Sequence, residues 1–254
     1  MTSVPSALQR VTWSPEIDKG FVYFDERQLD GIEDLSKSFK LRYQVYCEEM
    51  RFLRAEDYPD GMERDAFDAQ SVHFGSFNKE GAIVGTVRLV RGTGTEGVPM
   101  YEHCHLYPEE RKRIAAIPDV VEVSRLVVSR NYRRRAGDGL YGLSGMSEQT
   151  GAPPVASDRR QFVFPTVLRL YRVMYHALKR QGITHILASM EMSLFRILRA
   201  QRFPFHEIGP EADYYGPVRP FYLNLDELDR QFADGCSSLL HYFNYGLDLK
   251  RRVA

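Results

Sequence analysis

The stretch from Val120 to Arg130, Val-Val-Glu-Val-Ser-Arg-Leu-Val-Val-Ser-Arg, constrains the fold more than any other segment. Its first half is β-branched and apolar, which suits a buried strand. Glu122, Arg125 and Arg130 interrupt it. Glu122 and Arg125 are three residues apart, so a regular strand points them to opposite faces. A bulge would bring them together, and bulges re-aim side chains beside active sites. Charge inside a buried strand is costly unless it is paired or put to use. Two readings stay open here: a structural ion pair joining the strand to its neighbours, or a working acid and base.

With 34 basic and 34 acidic side chains among 254 residues, the net charge is zero. That argues against nucleic acid as the main partner, while leaving room for a local basic patch. Arg130, Arg133, Arg134, Arg135, Arg159 and Arg160 bracket one loop. Cys47, Cys104 and Cys236 are too few and too scattered for a disulfide framework or a cysteine zinc site. His103-Cys104-His105 reads as a polar turn before it reads as a metal loop. No run reaches the roughly 20 apolar residues of a membrane span. Residues 1–15 show no secretion signal, so the expectation is a cytoplasmic, reducing location without a transmembrane segment.

Residues 1–20 read as an irregular arm, followed by a strand over Phe21–Phe24. Gly31 to Arg51 has helical spacing through Ile32, Leu35, Phe39, Tyr43 and Tyr46. Arg42 lies near that face, where an arginine ordinarily lays its stem on the core and keeps its head in water. Glu56–Asp68 is an acidic loop with Glu63, Asp65 and Asp68 in one run. Ser71–Asn78 and Ala82–Arg91 read as strands of a hairpin turning at Lys79-Glu80-Gly81, with Arg88 inside the second. Tyr107–Ala116 is irregular or briefly helical.

Residues 136–160, rich in Gly, Ser and Pro, read as a mobile loop. Phe162–Arg180 is an amphipathic helix, Thr184–Met190 a strand, Ser193–Gln201 a short helix, and Phe203–Ile208 and Pro220–Leu225 strands. Residues 226–254 form a helical cap. No repeat or linker divides 1–254, so the expectation is a single α/β domain. Its sheet is mixed and mostly antiparallel, with helices on both faces.

The element order resembles the GNAT acyltransferase fold, whose central strand pair is splayed. The charged residues resemble those of the acyl-homoserine-lactone synthases and the N-acyl amino acid synthases. Arg42 in Leu41-Arg42-Tyr43-Gln44-Val45-Tyr46 looks like their helix arginine, and Phe52 stands where a tryptophan is usual. Glu63, Asp65 and Asp68 resemble their acidic triplet, Arg88 their strand arginine, and Glu122 with Arg125 their Glu-x-Ser-Arg strand. Over nearly the whole length the chain is most similar to acyltransferases associated with the PEP-CTERM/exosortase system. Their Arg-Tyr-Gln-Val-Tyr-Cys-Glu-Glu, Tyr-Pro-Asp-Gly, Ser-Val-His-Phe and Ile-Gly-Pro features recur at 42–49, 58–61, 71–74 and 208–210.

The resemblance implies an N-acyl amino acid synthase that moves a fatty acyl group from an acyl carrier protein or CoA thioester to an amino acid's α-amine. No tightly bound cofactor is implied; the acyl-phosphopantetheine thioester is a co-substrate. Backbone groups of Leu126, Val127 and Val128 would hold the pantetheine and the oxyanion. Glu122 would be the base, with Arg125 beside it. Arg42, Phe52, Glu63, Asp65, Asp68 and Arg88 would shape the acceptor end. Arg134-Arg135-Ala136-Gly137-Asp138-Gly139 fits the Arg-x-x-Gly-x-Gly phosphate loop in letters, yet the next helical pattern begins more than twenty residues later. Arg133, Arg134 and Arg135 therefore bind the phosphate or dock an acidic acyl carrier protein. The rival readings are a short-chain acyl-CoA acetyltransferase and a non-catalytic module that binds acyl carriers.

Overall fold

The computed structural model describes residues 24–92, 96–132, 163–235 and 237–247. Strands β1 (Phe24–Gln28), β2 (Ser71–Asn78), β3 (Ile83–Gly92) and β4 (Val120–Val128) run antiparallel in sequence order. Helix α1 (Ile32–Tyr43) sits between β1 and β2, and α2 (Met100–His103) and α3 (Pro108–Ala115) between β3 and β4. After β4 come α4 (Val163–Gln181), β5 (His185–Met190) and α5 (Met192–Ala200). Two-residue strands β6 (His206–Glu207) and β7 (Ala212–Asp213) precede β8 (Pro217–Asn224). Helices α6 (Leu225–Gly235) and α7 (Ser237–Asn244) follow.

The strand order is β1-β2-β3-β4-β5-β8-β6, with β7 on the start of β8. This is the mixed, mostly antiparallel sheet of the GNAT fold. Among the described residues its one parallel pair is β4 with β5, from Val120–His185 to Val123–Ala188. β4 continues to Val128 and β5 to Met190 without pairing further, so the two strands part beyond Val123 and Ala188.

Helices cover both faces. A side chain at Gly85 would touch Leu170 and Thr166 of α4, whereas the next residue, Thr86, hydrogen-bonds Ser38 of α1 at 2.7 Å. Successive strand residues point to opposite faces, so α4 and α1 lie on opposite sides. The expected amphipathic face of α4 is buried at Val167, Leu170, Met174, Ala177 and Leu178. Phe232 of α6 and Phe243 of α7 pack beside it with Phe203.

Several expectations shift. The apolar face of α1 is rotated: Ile32 is 86% exposed, and Ser38, Leu41, Arg42, Val45 and Tyr46 are buried. Buried polar partners cause the rotation, because Ser38 and Arg42 both find theirs inside. The helix also ends earlier as an α-helix and continues as a π-helical turn over Gln44–Glu49, with Met50 N–H on the Val45 carbonyl at 2.9 Å. β1 runs through Asp25-Glu26-Arg27, a charged composition suited to a sheet edge. The strand expected over Phe203–Ile208 shrinks to β6, and the 107–116 segment is helical as α3. The 226–254 cap is helical where it is described, through Asn244. The 1–20 arm and the 136–160 loop lie outside the described residues. Among the described residues, no helix is long and apolar enough to cross a membrane.

Candidate active site

A bulge in β4 organises the site. Thr86 pairs with Val127 and Arg88 with Ser124, so one residue of β3 faces both Arg125 and Leu126. Arg125 is the extra residue, with φ of 52°, a left-handed backbone that non-glycine residues seldom adopt. Its consequence is that consecutive side chains share a face: Ser124 Oγ accepts from Arg88 Nε at 3.1 Å, and Arg125 reaches the same Asp65 that Arg88 holds.

From that bulge grows a closed ring of alternating charge. Arg42 donates Nε to Glu63 at 2.5 Å and grips Asp68 with both terminal nitrogens, at 2.7 and 3.0 Å. Arg88 Nη1 bridges Asp68 at 2.8 Å and Asp65 at 2.5 Å. Arg125 Nη2 closes the circuit on Asp65 at 2.9 Å and Glu63 at 3.1 Å. The acids do local work too: Asp65 accepts Phe67 N–H at 2.9 Å, and Asp68 accepts Asp65 N–H at 2.8 Å, capping the 3₁₀ turn Ala66–Gln70. Burial alone would raise all three carboxyls, but the arginines outweigh it and hold Glu63, Asp65 and Asp68 below their usual range. Arg42 is thus fully buried rather than reaching water, and Arg88 is not an exposed-face residue; opposed carboxylates carry both.

Glu122 stands apart from the ring. It is fully buried, and it does not pair with Arg125. One oxygen accepts Met100 N–H at 2.6 Å, and Oε1 has no partner among the described residues. Loss of water raises its pKa, the Met100 N–H, Arg88 and Arg125 pull the other way, and the balance is pushed up to about 7.

Where β4 and β5 part, a cavity of about 60 Å³ opens between them, bordered by Glu122, Arg125, Ser189, Tyr46, Tyr214 and Tyr215. Ser129 N–H bonds the Val84 carbonyl at 2.8 Å, so alternation along the strand turns Val127's backbone toward β3 as well. Leu126 and Val128 therefore face their N–H and C=O groups away from β3, into the gap. A second cavity of about 50 Å³ shares Val123, Tyr171 and Ala188 with the first. It lies on the α4 side and is almost wholly apolar, ending on Phe203, Leu228 and Phe243.

Glu122 and Arg125 thus line the gap. Arg42, Glu63, Asp65, Asp68 and Arg88 come together as the ring that holds Arg125 and do not line the cavity. Phe52 lies behind the Tyr215–Gly216 turn, where a side chain at Gly216 would come within 3.2 Å of its ring. Arg133 and Arg134 fall outside the described residues. The sequence reading missed Tyr46, Tyr214 and Tyr215, whose rings and hydroxyls surround the Arg125 guanidinium. Tyr46 was read only on the apolar face of the 31–51 helix and within the 42–49 motif, and Tyr214 and Tyr215 fell in the connection between the strands expected at 203–208 and 220–225.

Comparison with known proteins agrees with this fold. A family model described as an acetyltransferase (GNAT) domain matches residues 41–141. An acyl-homoserine-lactone synthase of Aeromonas hydrophila is 25% identical over 174 residues, 68% of this chain and 71% of the relative. The structure of a CoA-dependent acyl-homoserine lactone synthase, BjaI, with SAM and isopentyl-CoA superposes with a TM-score of 0.52 at 21% identity, covering 80% of this chain and 82% of that one. FeeM, an N-acyl amino acid synthase from uncultured soil microbes, gives 0.52 at 15% identity, covering 82% and 94%. The fold is that of the GNAT acyltransferases. The chain is an acyltransferase.

Proposed function

We infer that the protein transfers a fatty acyl group from a phosphopantetheine thioester, carried by acyl carrier protein, to the α-amine of an amino acid. The observation that carries this reading is the parting of β4 from β5 at Val123 and Ala188, with Glu122 beside the gap. The pantetheine arm lies along the free edge of β4, its amides paired with Leu126 and Val128. A backbone N–H there, of Leu126 or Val128, donates to the developing oxyanion. The acyl chain passes the neck at Tyr171 into the apolar cavity against α4, where each buried methylene contributes about 0.8 kcal/mol. That cavity is small, so a long chain enters only as the neck and the α6–α7 side chains turn aside.

The acceptor comes from the α1 side. An α-amine near pKa 8 is mostly protonated at neutral pH and must shed a proton before it attacks. Glu122 Oε1 takes that proton. The nitrogen lone pair then attacks the thioester carbon, and the C–S bond breaks. The proton lost from the tetrahedral adduct leaves with the thiolate as the free thiol. The ring Arg42–Glu63–Arg125–Asp65–Arg88–Asp68 fixes Arg125 and the bulge, and so the oxyanion geometry.

We assign the acidic acyl carrier protein to Arg130, Arg133, Arg134 and Arg135, and a cytoplasmic setting in keeping with the free buried thiols of Cys47 and Cys104. The motifs at 42–49, 58–61, 71–74 and 208–210 support a place among the acyltransferases of the PEP-CTERM/exosortase system. A second reading, transfer of a short acyl group from CoA, draws on the small size of the apolar cavity. Thiol release measured with long-chain acyl carrier protein, long-chain acyl-CoA and acetyl-CoA, each against a panel of amino acids, decides between them. Turnover with acetyl-CoA alone overturns the fatty-acyl reading.

A further inference from the structure

Two polar atoms at the cavity are not fully engaged. Glu122 Oε1 is buried without a partner. Arg125 spends Nε and Nη2 on Glu63, Asp65 and the Tyr215 hydroxyl. Among the described residues its Nη1 meets only the Tyr214 hydroxyl, at 3.4 Å, beyond the 2.7–3.2 Å of a good N–H···O bond. Both residues border one cavity. A carboxylate and a guanidinium that border one space, each with an atom left under-engaged, match the ammonium and carboxylate ends of a single zwitterion.

The other arginines do not serve. Arg42 has all three nitrogens on Glu63 and Asp68. Arg88 does not line the cavity. Arg125 is held between the rings of Tyr46 and Tyr215, at 5.4 and 4.6 Å from their centroids. It keeps its charge: burial opposes it, yet Glu63 and the surrounding tyrosines raise its pKa well above the usual arginine value. Tyr214 is on the short turn between β7 and β8, where Tyr215 and Gly216 both have positive φ, and its ring stacks on His103 at 4.1 Å. The ring is buried and packed, but its hydroxyl contact is long, so a stronger acceptor can take over that nitrogen at little cost in hydrogen bonding.

Resting on the acyl-transfer reading above, we propose that Arg125 Nη1 recognises the α-carboxylate of the acceptor. The Tyr214 hydroxyl is a placeholder that this carboxylate displaces. The acceptor class is then the free α-amino acid, its amine at Glu122 and its carboxylate at Arg125. Amines lacking the carboxylate bind without that anchor.

The test uses the full chain, wild type and Tyr214→Phe, with a long-chain acyl carrier thioester. The best acceptor from a screen of the common amino acids is compared with its α-carboxamide. Thiol release gives kcat and KM, and titration calorimetry gives binding without donor. The carboxamide is expected to show a KM about ten- to hundred-fold higher, the scale of one charge-assisted hydrogen bond. Tyr214→Phe is expected to lower the KM for the free acid several-fold and to leave the thioester KM unchanged. Equal KM for acid and carboxamide, with both acylated, overturns the anchor and leaves acyl transfer standing. A raised free-acid KM in Tyr214→Phe overturns the placeholder. If no amine releases thiol, the acyl-transfer reading fails, and calorimetry still decides the anchor: selective binding of the acid supports it, and equal or absent binding overturns it.

Discussion

Glu122 accepts the Met100 backbone N–H at 2.6 Å through one oxygen and leaves the other buried and unpartnered. A carboxylate so placed is half satisfied. The N–H fixes the side chain's direction, and the residue borders the gap where β4 and β5 part. Structural carboxylates in this protein look different: Glu63, Asp65 and Asp68 each hold at least two hydrogen bonds.

That difference predicts a pH profile for activity. Glu122 has its pKa pushed up to about 7 by burial, so its base form grows in through neutrality. With saturating thioester, kcat/KM for the acceptor is expected to rise across pH 6–8. Glu122→Gln removes the limb near pH 7, keeps any limb due to the amine itself near pH 8, and lowers turnover by about 10²–10⁴-fold. Rate measurements from pH 5.5 to 9 on both proteins check this.

Stability carries the same signature with the opposite sign. A carboxyl whose folded pKa lies above its unfolded value binds more protons in the native state between the two. Stability therefore falls as pH rises from about 4.5 to 7. The Glu122 contribution is on the order of 3 kcal/mol over that window. Denaturant titrations at pH 5 and pH 8 are expected to show Glu122→Gln gaining on wild type at the higher pH.

The ring predicts the reverse at acid pH. Glu63, Asp65 and Asp68 have folded pKa values held low by their arginines, so their stabilisation is complete above their unfolded values and is lost as pH falls through the folded ones. Asp68→Ala leaves both Arg42 and Arg88 short of a partner. It is expected to cost about 3–5 kcal/mol at pH 7, since a buried charge is left uncompensated. Thermal melts from pH 7 down into strong acid measure it, with wild type converging on the variant only below about pH 4, where the unfolded carboxyls begin to bind protons.

Ala188 is the last β5 residue paired with β4, and it borders both cavities. Ala188→Phe narrows the passage between them. The chain-length preference is expected to move to shorter acyl groups, with kcat/KM falling about four-fold for each methylene that no longer enters. A series of acyl carrier thioesters of increasing length reads this directly.

Much of this was legible before the fold was seen. The apolar run at 120–128 and the alternation of elements define the sheet, because burial and period carry them. The six ring charges are separable in sequence only as pieces: an arginine on a helix, an acidic loop, an arginine on a strand. Their union is a tertiary fact set by the Arg125 bulge, and no local pattern signals a positive φ at an arginine. For the same reason Arg42 reads as a surface residue, although it is buried: its carboxylate partners are 21 and 26 residues away. The aromatic surround of Arg125 was illegible, since Tyr214 and Tyr215 come from a turn nearly ninety residues along the chain.

The most direct test of the account is mass spectrometry of the product after wild type and Glu122→Gln are each mixed with long-chain acyl carrier protein and a full set of amino acids at pH 7.5. The account predicts an N-acyl amino acid and stoichiometric free thiol with wild type. It predicts a turnover at least a hundred-fold slower with the variant, which melts no lower than wild type. Equal turnover in the two proteins would contradict it.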